Sequence, residues 1–197
     1  TIYIYPEVEV LDFAGPYEEF TTAARVYQRS HPQDPVPFSV NLIAAEPGPV
    51  KARGRMLVQP DSVLADFHSC DVLIIPGGMI EGELNRVNLN QHIQSLNRTS
   101  EVTASICTGA FILANTGLLD GLMVTTHWED LEALSDTFPA LQVVSDQRWV
   151  EQGKIITSAG ISAGIDLSLH IVSRLHNQGL AQRTAHQMDY HWQEETS

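Results

Sequence analysis

The chain of 197 residues carries 24 acidic against 11 basic side chains, a formal net charge of −13, with 43% apolar and 18% charged residues. That length suits one domain over residues 1–197, able to bury a core without a metal or disulfide staple, and no apolar run of about 18 residues is present to span a membrane. The acidic balance argues against nucleic acid as a partner, because phosphate binding needs clustered Lys and Arg; a small neutral or mildly polar molecule is the expected ligand.

Ile2–Tyr5 reads as a strand, and no signal-peptide pattern precedes it. The absence of an initiator Met leaves room for a trimmed leader. A helix is predicted over Pro16–Gln28, since proline suits a first helical turn. Ser30–Pro37, with its three prolines, is a loop, and Phe38–Ala45 a second strand. Val50–Val58 follows a Pro-Gly-Pro turn and suggests a small hairpin. Asp61 is expected to cap a short helix ending near Phe67. Asp71–Ile75 contains Val-Leu-Ile-Ile, the signature of a strand buried on both faces, and ends in Pro76-Gly77-Gly78. A helix over Leu89–Arg98, a strand over Glu101–Ile106 and a helix over Thr108–Asn115 follow, with Gly117 closing the last. Leu122–Thr125 is a short strand and Trp128–Ser135 a helical turn or two. Gln142–Val144 is a strand, Trp149–Thr157 a strand pair turning at Glu-Gln-Gly, Gly164–Asn177 an amphipathic helix and Leu180–Tyr190 the last helix. Strands alternating with helices imply an α/β fold: a mostly parallel central sheet flanked by helices in a three-layer sandwich.

Sites in such sheets form at the carboxyl ends of strands. Three segments end there: Asp12–Pro16, Pro76–Gly78 and Ile106–Ala110. Cys107 sits where a buried strand passes abruptly into a helix, with Gly109 relieving the crowded turn, as in a strand–turn–helix elbow that displays a nucleophile. Strained backbone at the turn and the positive helix end are expected to expose Cys107 and favour its thiolate. Gly77, Gly78 and Thr108 are candidate backbone donors for developing negative charge. Asp12, an acid among apolar neighbours, is a candidate proton carrier with a raised pKa. His127, after a strand end and before Glu129, admits a Cys–His–Glu reading or a capping and packing role. Trp128 is expected in the core or a pocket wall, and Asp166 near a helix start, favouring the dipole. Cys70 reads as an apolar filler. The other histidines show no ligand spacing, so no metal is expected. Two cysteines make no disulfide framework, and a reducing cytoplasm is the simplest setting.

These motifs, from Leu11-Asp12-x-x-Gly15-Pro16 through Cys107-Thr108-Gly109-Ala110 to Thr157-Ser158-Ala159-Gly160 and Gly164-Ile165-Asp166, resemble the ThiJ/PfpI superfamily with its class I glutamine amidotransferase-like, flavodoxin-like fold. The runs Gly117-Leu118-Leu119-Asp120-Gly121 and Thr125-Thr126-His127-Trp128 look like its isonitrile hydratase branch, and equally like the sensing domains of AraC-type regulators. The resemblance implies Cys107 as nucleophile, Asp12 as the acid beside it, Gly78 and Thr108 as backbone donors, and a homodimer. Thr108 replaces the His found after the nucleophile in the protease branch, which argues against proteolysis. The expected activity is a cofactor-free, cysteine-dependent hydration of isonitriles to N-substituted formamides. A ligand- or redox-sensing domain and a Cys–His hydrolase or amidase using His127 are the alternatives. A complete DNA-binding regulator is not expected, because those relatives continue into a basic helix-turn-helix region.

Overall fold

The buried apolar runs of the sequence become the middle of one sheet. In the computed structural model, which describes residues 1–194, the strands β1 (Ile2–Tyr3), β2 (Leu42–Ala44), β5 (Ser62–Val63), β6 (Val72–Ile75), β7 (Val102–Ile106), β10 (Trp149–Gln152) and β11 (Ile155–Ser158) form a seven-stranded sheet. Its order is β10-β11-β7-β6-β1-β2-β5, parallel throughout except for the β10–β11 hairpin. β7 is buried along its whole length, as its Val-Thr-Ala-Ser-Ile sequence allows for a strand covered on both faces. Two small sheets complete the strands: β3 (Val50–Lys51) with β4 (Leu57–Val58), the hairpin expected from the Pro-Gly-Pro turn, and β8 (Met123–Val124) with β9 (Gln142–Val143).

Helices α1 (Val10–Ser30), α6 (Ala163–Leu175) and α7 (Gln178–Gln187) pack against one another as one layer; α2 (Glu81–Leu84), α3 (Leu89–Thr99) and α4 (Gly109–Asn115) form a second, and α5 (Leu131–Thr137) lies beside β9. The core runs between these layers through residues such as Ile4, Leu73, Ile74, Ala104, Leu113 and Leu167. No helix among the described residues is long and apolar enough to cross a membrane.

Several expected boundaries move. The first helix starts at Val10, not Pro16, so Pro16 lies inside it and Asp12 in its first turn. Pro16 has no N–H to offer the Asp12 carbonyl four residues back, and the helix tolerates that loss. Asp61 does not cap a helix: its Oδ2 accepts the Leu42 N–H at 2.8 Å, and Ser62–Val63 pairs with β2 as the edge strand. Phe38–Ala45 is a strand only over its last part, Leu42–Ala44. Asp166 lies in the first turn of α6, as expected, and is buried there. It receives Arg148, Tyr190 Oη at 3.1 Å and the Gln193 N–H at 2.9 Å, which fastens the segment after α7 onto α6. Residues 195–197 of the expected domain lie outside the described residues.

Candidate active site

The parallel order β11-β7-β6-β1 brings four carboxyl-terminal strand ends side by side. Register fixes the alignment: Ser158 pairs with Ile106, and Ile75 with Ser105. The chain therefore leaves β6 at Pro76, β7 at Cys107 and β11 at Ala159 on one rim, with α1 entering beside them after β1.

Cys107 has φ 54°, a left-handed conformation that a non-glycine residue adopts at a cost. The surroundings hold it there. Its N–H donates to Ser158 O at 3.2 Å, and its carbonyl accepts Thr126 Oγ1 at 2.8 Å and the Ala110 N–H at 3.2 Å. The next turn is so tight that a Cβ on Gly109 would lie 2.1 Å from Ile75 O, and one on Gly77 would lie 2.8 Å from both Asp12 Oδ2 and Thr108 N. These are the points where the three segments singled out from the sequence converge.

Asp12 is fully buried. Its Oδ2 accepts the Gly77 N–H at 3.0 Å, while Oδ1 accepts no hydrogen bond among the described residues. Burial pushes its carboxyl up to about 7, against the Gly77 bond that favours the charged form. Cys107 is 8% exposed. Burial first, then the Asp12 charge, push its thiol up to about 12, although the Thr108 and Ile161 backbone amides favour the charged sulfur. The expectations of an exposed Cys107 side chain and of a standing thiolate are thus corrected. Desolvation and a like charge outweigh the two amides and the end of the seven-residue α4, so the resting thiol keeps its proton.

The donor set also differs from expectation. The Gly77 amide is taken by Asp12, and the Gly78 amide by Thr108 Oγ1 at 2.9 Å; the same hydroxyl donates to Gly78 O at 3.0 Å. Gly78 therefore braces Thr108 and has no free N–H to offer the sulfur. The backbone amides that favour a charged sulfur are those of Thr108 and of Ile161, which has φ 38° in the turn between β11 and α6. Ile161 was not legible, because a β-branched residue is disfavoured at positive φ. The signal for its neighbourhood was only Ser158-Ala159-Gly160 following a buried strand.

His127 caps the turn Trp128–Asp130: its Nδ1 accepts the Glu129 N–H at 3.4 Å and lies 3.5 Å from Asp130 Oδ2. Its ring lies against Gly160, where a Cβ would come within 1.9 Å of Cδ2. Among the described residues it makes no hydrogen bond to Cys107, so the packing and capping reading describes it and the Cys–His–Glu arrangement is not assembled. Trp128 is 73% exposed, not a core or pocket-wall residue, because it opens that turn on the surface. Cys70 is half-buried at the opposite end of the strands, in a hollow shared with Phe20, Phe38 and His176 that includes none of the site residues. No three His, Cys, Asp or Glu side chains among the described residues cluster to hold a metal ion.

Known proteins place this arrangement in context. Isonitrile hydratase of Pseudomonas putida is 30% identical over 95% of this chain and 76% of its own length. The HTH-type transcriptional regulator CdhR of Pseudomonas aeruginosa is 31% identical over 93% of this chain, which spans about half of that regulator, 52%. Among solved structures, a THiJ/PfpI family protein from Pseudomonas syringae superposes with a TM-score of 0.81 at 25% identity, covering 96% of this chain and 73% of that one. Drosophila melanogaster DJ-1beta shares the fold at TM-score 0.81 and 21% identity, with 97% of each chain covered. The DJ-1/PfpI family pattern matches residues 1–174, a stretch that includes every strand and the Cys107 elbow, and the chain belongs to the DJ-1/PfpI family.

Proposed function

We propose that this protein hydrates isonitriles to N-substituted formamides, with Cys107 as nucleophile and Asp12 as proton carrier. The observation that carries the reading is a buried carboxyl and a buried thiol gathered at one rim: Asp12 Oδ2 holds the Gly77 N–H, Asp12 Oδ1 has no hydrogen-bond partner among the described residues, Cys107 Sγ included, and the Asp12 charge acts on the Cys107 thiol. An isonitrile is small and neutral, and its terminal carbon must gain both a nucleophile and a proton. As Cys107 Sγ bonds to that carbon, the thiol proton passes to the Asp12 carboxylate. Asp12 then delivers it to the same carbon, giving a thioimidate. Water adds across the C=N bond, Asp12 taking one proton from the water and passing it to the nitrogen, which leaves a hydroxyl on the carbon. As the C–S bond breaks and the C=O forms, Asp12 carries the hydroxyl proton to the sulfur, and the formamide leaves. The Thr108 and Ile161 amides hold the negative charge that passes through the sulfur. These steps call for no cofactor, and two unpaired thiols suit a reducing cytoplasm. A homodimer is part of the same proposal, and light scattering at assay concentration checks it.

Incubation with an alkyl isonitrile tests the reading. Wild type is expected to release the formamide; Cys107→Ser is expected to release none, and Asp12→Asn to turn over about 10²–10⁴-fold more slowly. Absence of formamide from wild type rejects it. The similarity to CdhR favours a second reading, a ligand- or redox-sensing domain. That reading requires no turnover together with reversible oxidation of Cys107 under mild peroxide. For a Cys–His hydrolase, His127→Ala would have to abolish activity, and the missing Cys107–His127 hydrogen bond gives that no support.

A further inference from the structure

Beneath the site, one peptide group is held at both ends. The Tyr5 hydroxyl donates to Pro76 O at 3.0 Å, and the Gly77 N–H donates to Asp12 Oδ2 at 3.0 Å. Pro76 C=O and Gly77 N–H belong to the same planar unit, so the three groups form one chain: hydroxyl, amide, carboxylate. Tyr5 is 1% exposed and Asp12 fully buried, so water does not compete for either bond. We infer that Tyr5 is a positioning residue for Asp12, acting through the Pro76–Gly77 peptide. A donor on the carbonyl polarises the amide and strengthens its N–H toward the carboxylate, and it fixes the plane in which that N–H points. The inference rests on Asp12 being the proton carrier of the proposed reaction, but its test does not require turnover.

The partner of its hydroxyl sets Tyr5 apart from its neighbour Tyr3. The rings stack with centroids 5.7 Å apart and both are buried, yet the Tyr3 hydroxyl goes to Glu83, which Arg86 also holds. Tyr3 therefore anchors the loop after β6 without touching the Pro76–Gly77 peptide. The Tyr5 phenol stays protonated, since burial and the facing Asp12 push it well above its ordinary value, and its role as donor is constant over the working range. The other titratable groups around Asp12 are Cys107 and Glu9, with Asp130 facing Cys107. Tyr5→Phe changes none of them.

The experiment is an NMR titration of the Asp12 carboxyl carbon in protein labelled at aspartate carboxyls, with Asp12→Asn assigning the signal. Tyr5→Phe keeps the ring and is expected to raise the midpoint by about half a pH unit. Tyr3→Phe is expected to leave it in place. Incorporation of 3-fluorotyrosine, a stronger donor, is expected to lower the midpoint in wild type and not in Tyr5→Phe. A Tyr5→Phe midpoint equal to wild type, a Tyr3→Phe shift of the same size, or no response to fluorotyrosine overturns the inference. The formamide assay stands apart: its failure removes the proposed reaction and leaves the titration readable.

Discussion

Cys107 spends backbone strain on being presented at the rim, yet keeps its proton until a base takes it. That combination yields opposite effects from one substitution. Asp12→Asn removes the negative charge beside the sulfur, so the thiol pKa falls and carbamidomethylation of Cys107 by iodoacetamide at pH 8 is expected to quicken, while isonitrile turnover collapses. Slower alkylation in the variant, read by mass spectrometry, contradicts the coupling. Turnover should also rise with pH through about 7, as Asp12 ionises and becomes able to accept the thiol proton. Cys107, Gly109 and Asp12 were legible because their signals are local: a strand, a cysteine, a glycine and a helix in sequence. The Gly78 amide was misassigned because Pro-Gly-Gly does not show which way its N–H groups point. Ile161 and Tyr5 act through backbone groups whose direction only the folded turn decides.

At the scale of elements, β6, β7, α3 and α4 read correctly, because an apolar run at β6 and small or β-branched residues at β7 leave buried parallel strands as the simplest outcome. The four-residue α2 was not foreseen. Nor was the start of α1, because Pro16 imitates a first-turn proline while the chain before it is tied down elsewhere. Glu9 N–H donates to Gly77 O at 2.8 Å, and Val8 bridges to Gly78, so the helix begins directly after that bridge. This extra turn is what carries Asp12 into the site. The tightness of the β7–α4 turn gives a direct expectation: Gly109→Ala sets a Cβ against backbone of β6 and should strongly lower the yield of folded protein. Arg148→Ala leaves Asp166 buried with Tyr190 and Gln193 but without its cation. A loss of about 3 kcal/mol in urea unfolding is expected. A loss below about 1 kcal/mol would show that Asp166 does not depend on Arg148.

At the scale of the whole molecule, the strand order gathers four carboxyl ends at one rim, the place where the fold class forms its sites. Burying acids there and in the α1–α6 interface has a consequence for stability. Glu19 is fully buried with both oxygens unpartnered among the described residues, and burial pushes it up from 4.5 to about 9. The folded form then holds a proton that the unfolded chain releases near 4.5. Its contribution is complete below that value and is lost as pH rises toward 9. Thermal unfolding of wild type should therefore fall in midpoint across this window more steeply than that of Glu19→Gln, and parallel curves contradict the assignment. The central claim, that Cys107 carries an isonitrile through a covalent intermediate, is met most directly by rapid-quench intact-mass spectrometry with an alkyl isonitrile. The expected result is a transient gain of one isonitrile mass on Cys107 that decays at the rate of formamide release. Formamide produced at an undiminished rate by Cys107→Ser, or no adduct and no formamide from wild type, contradicts it.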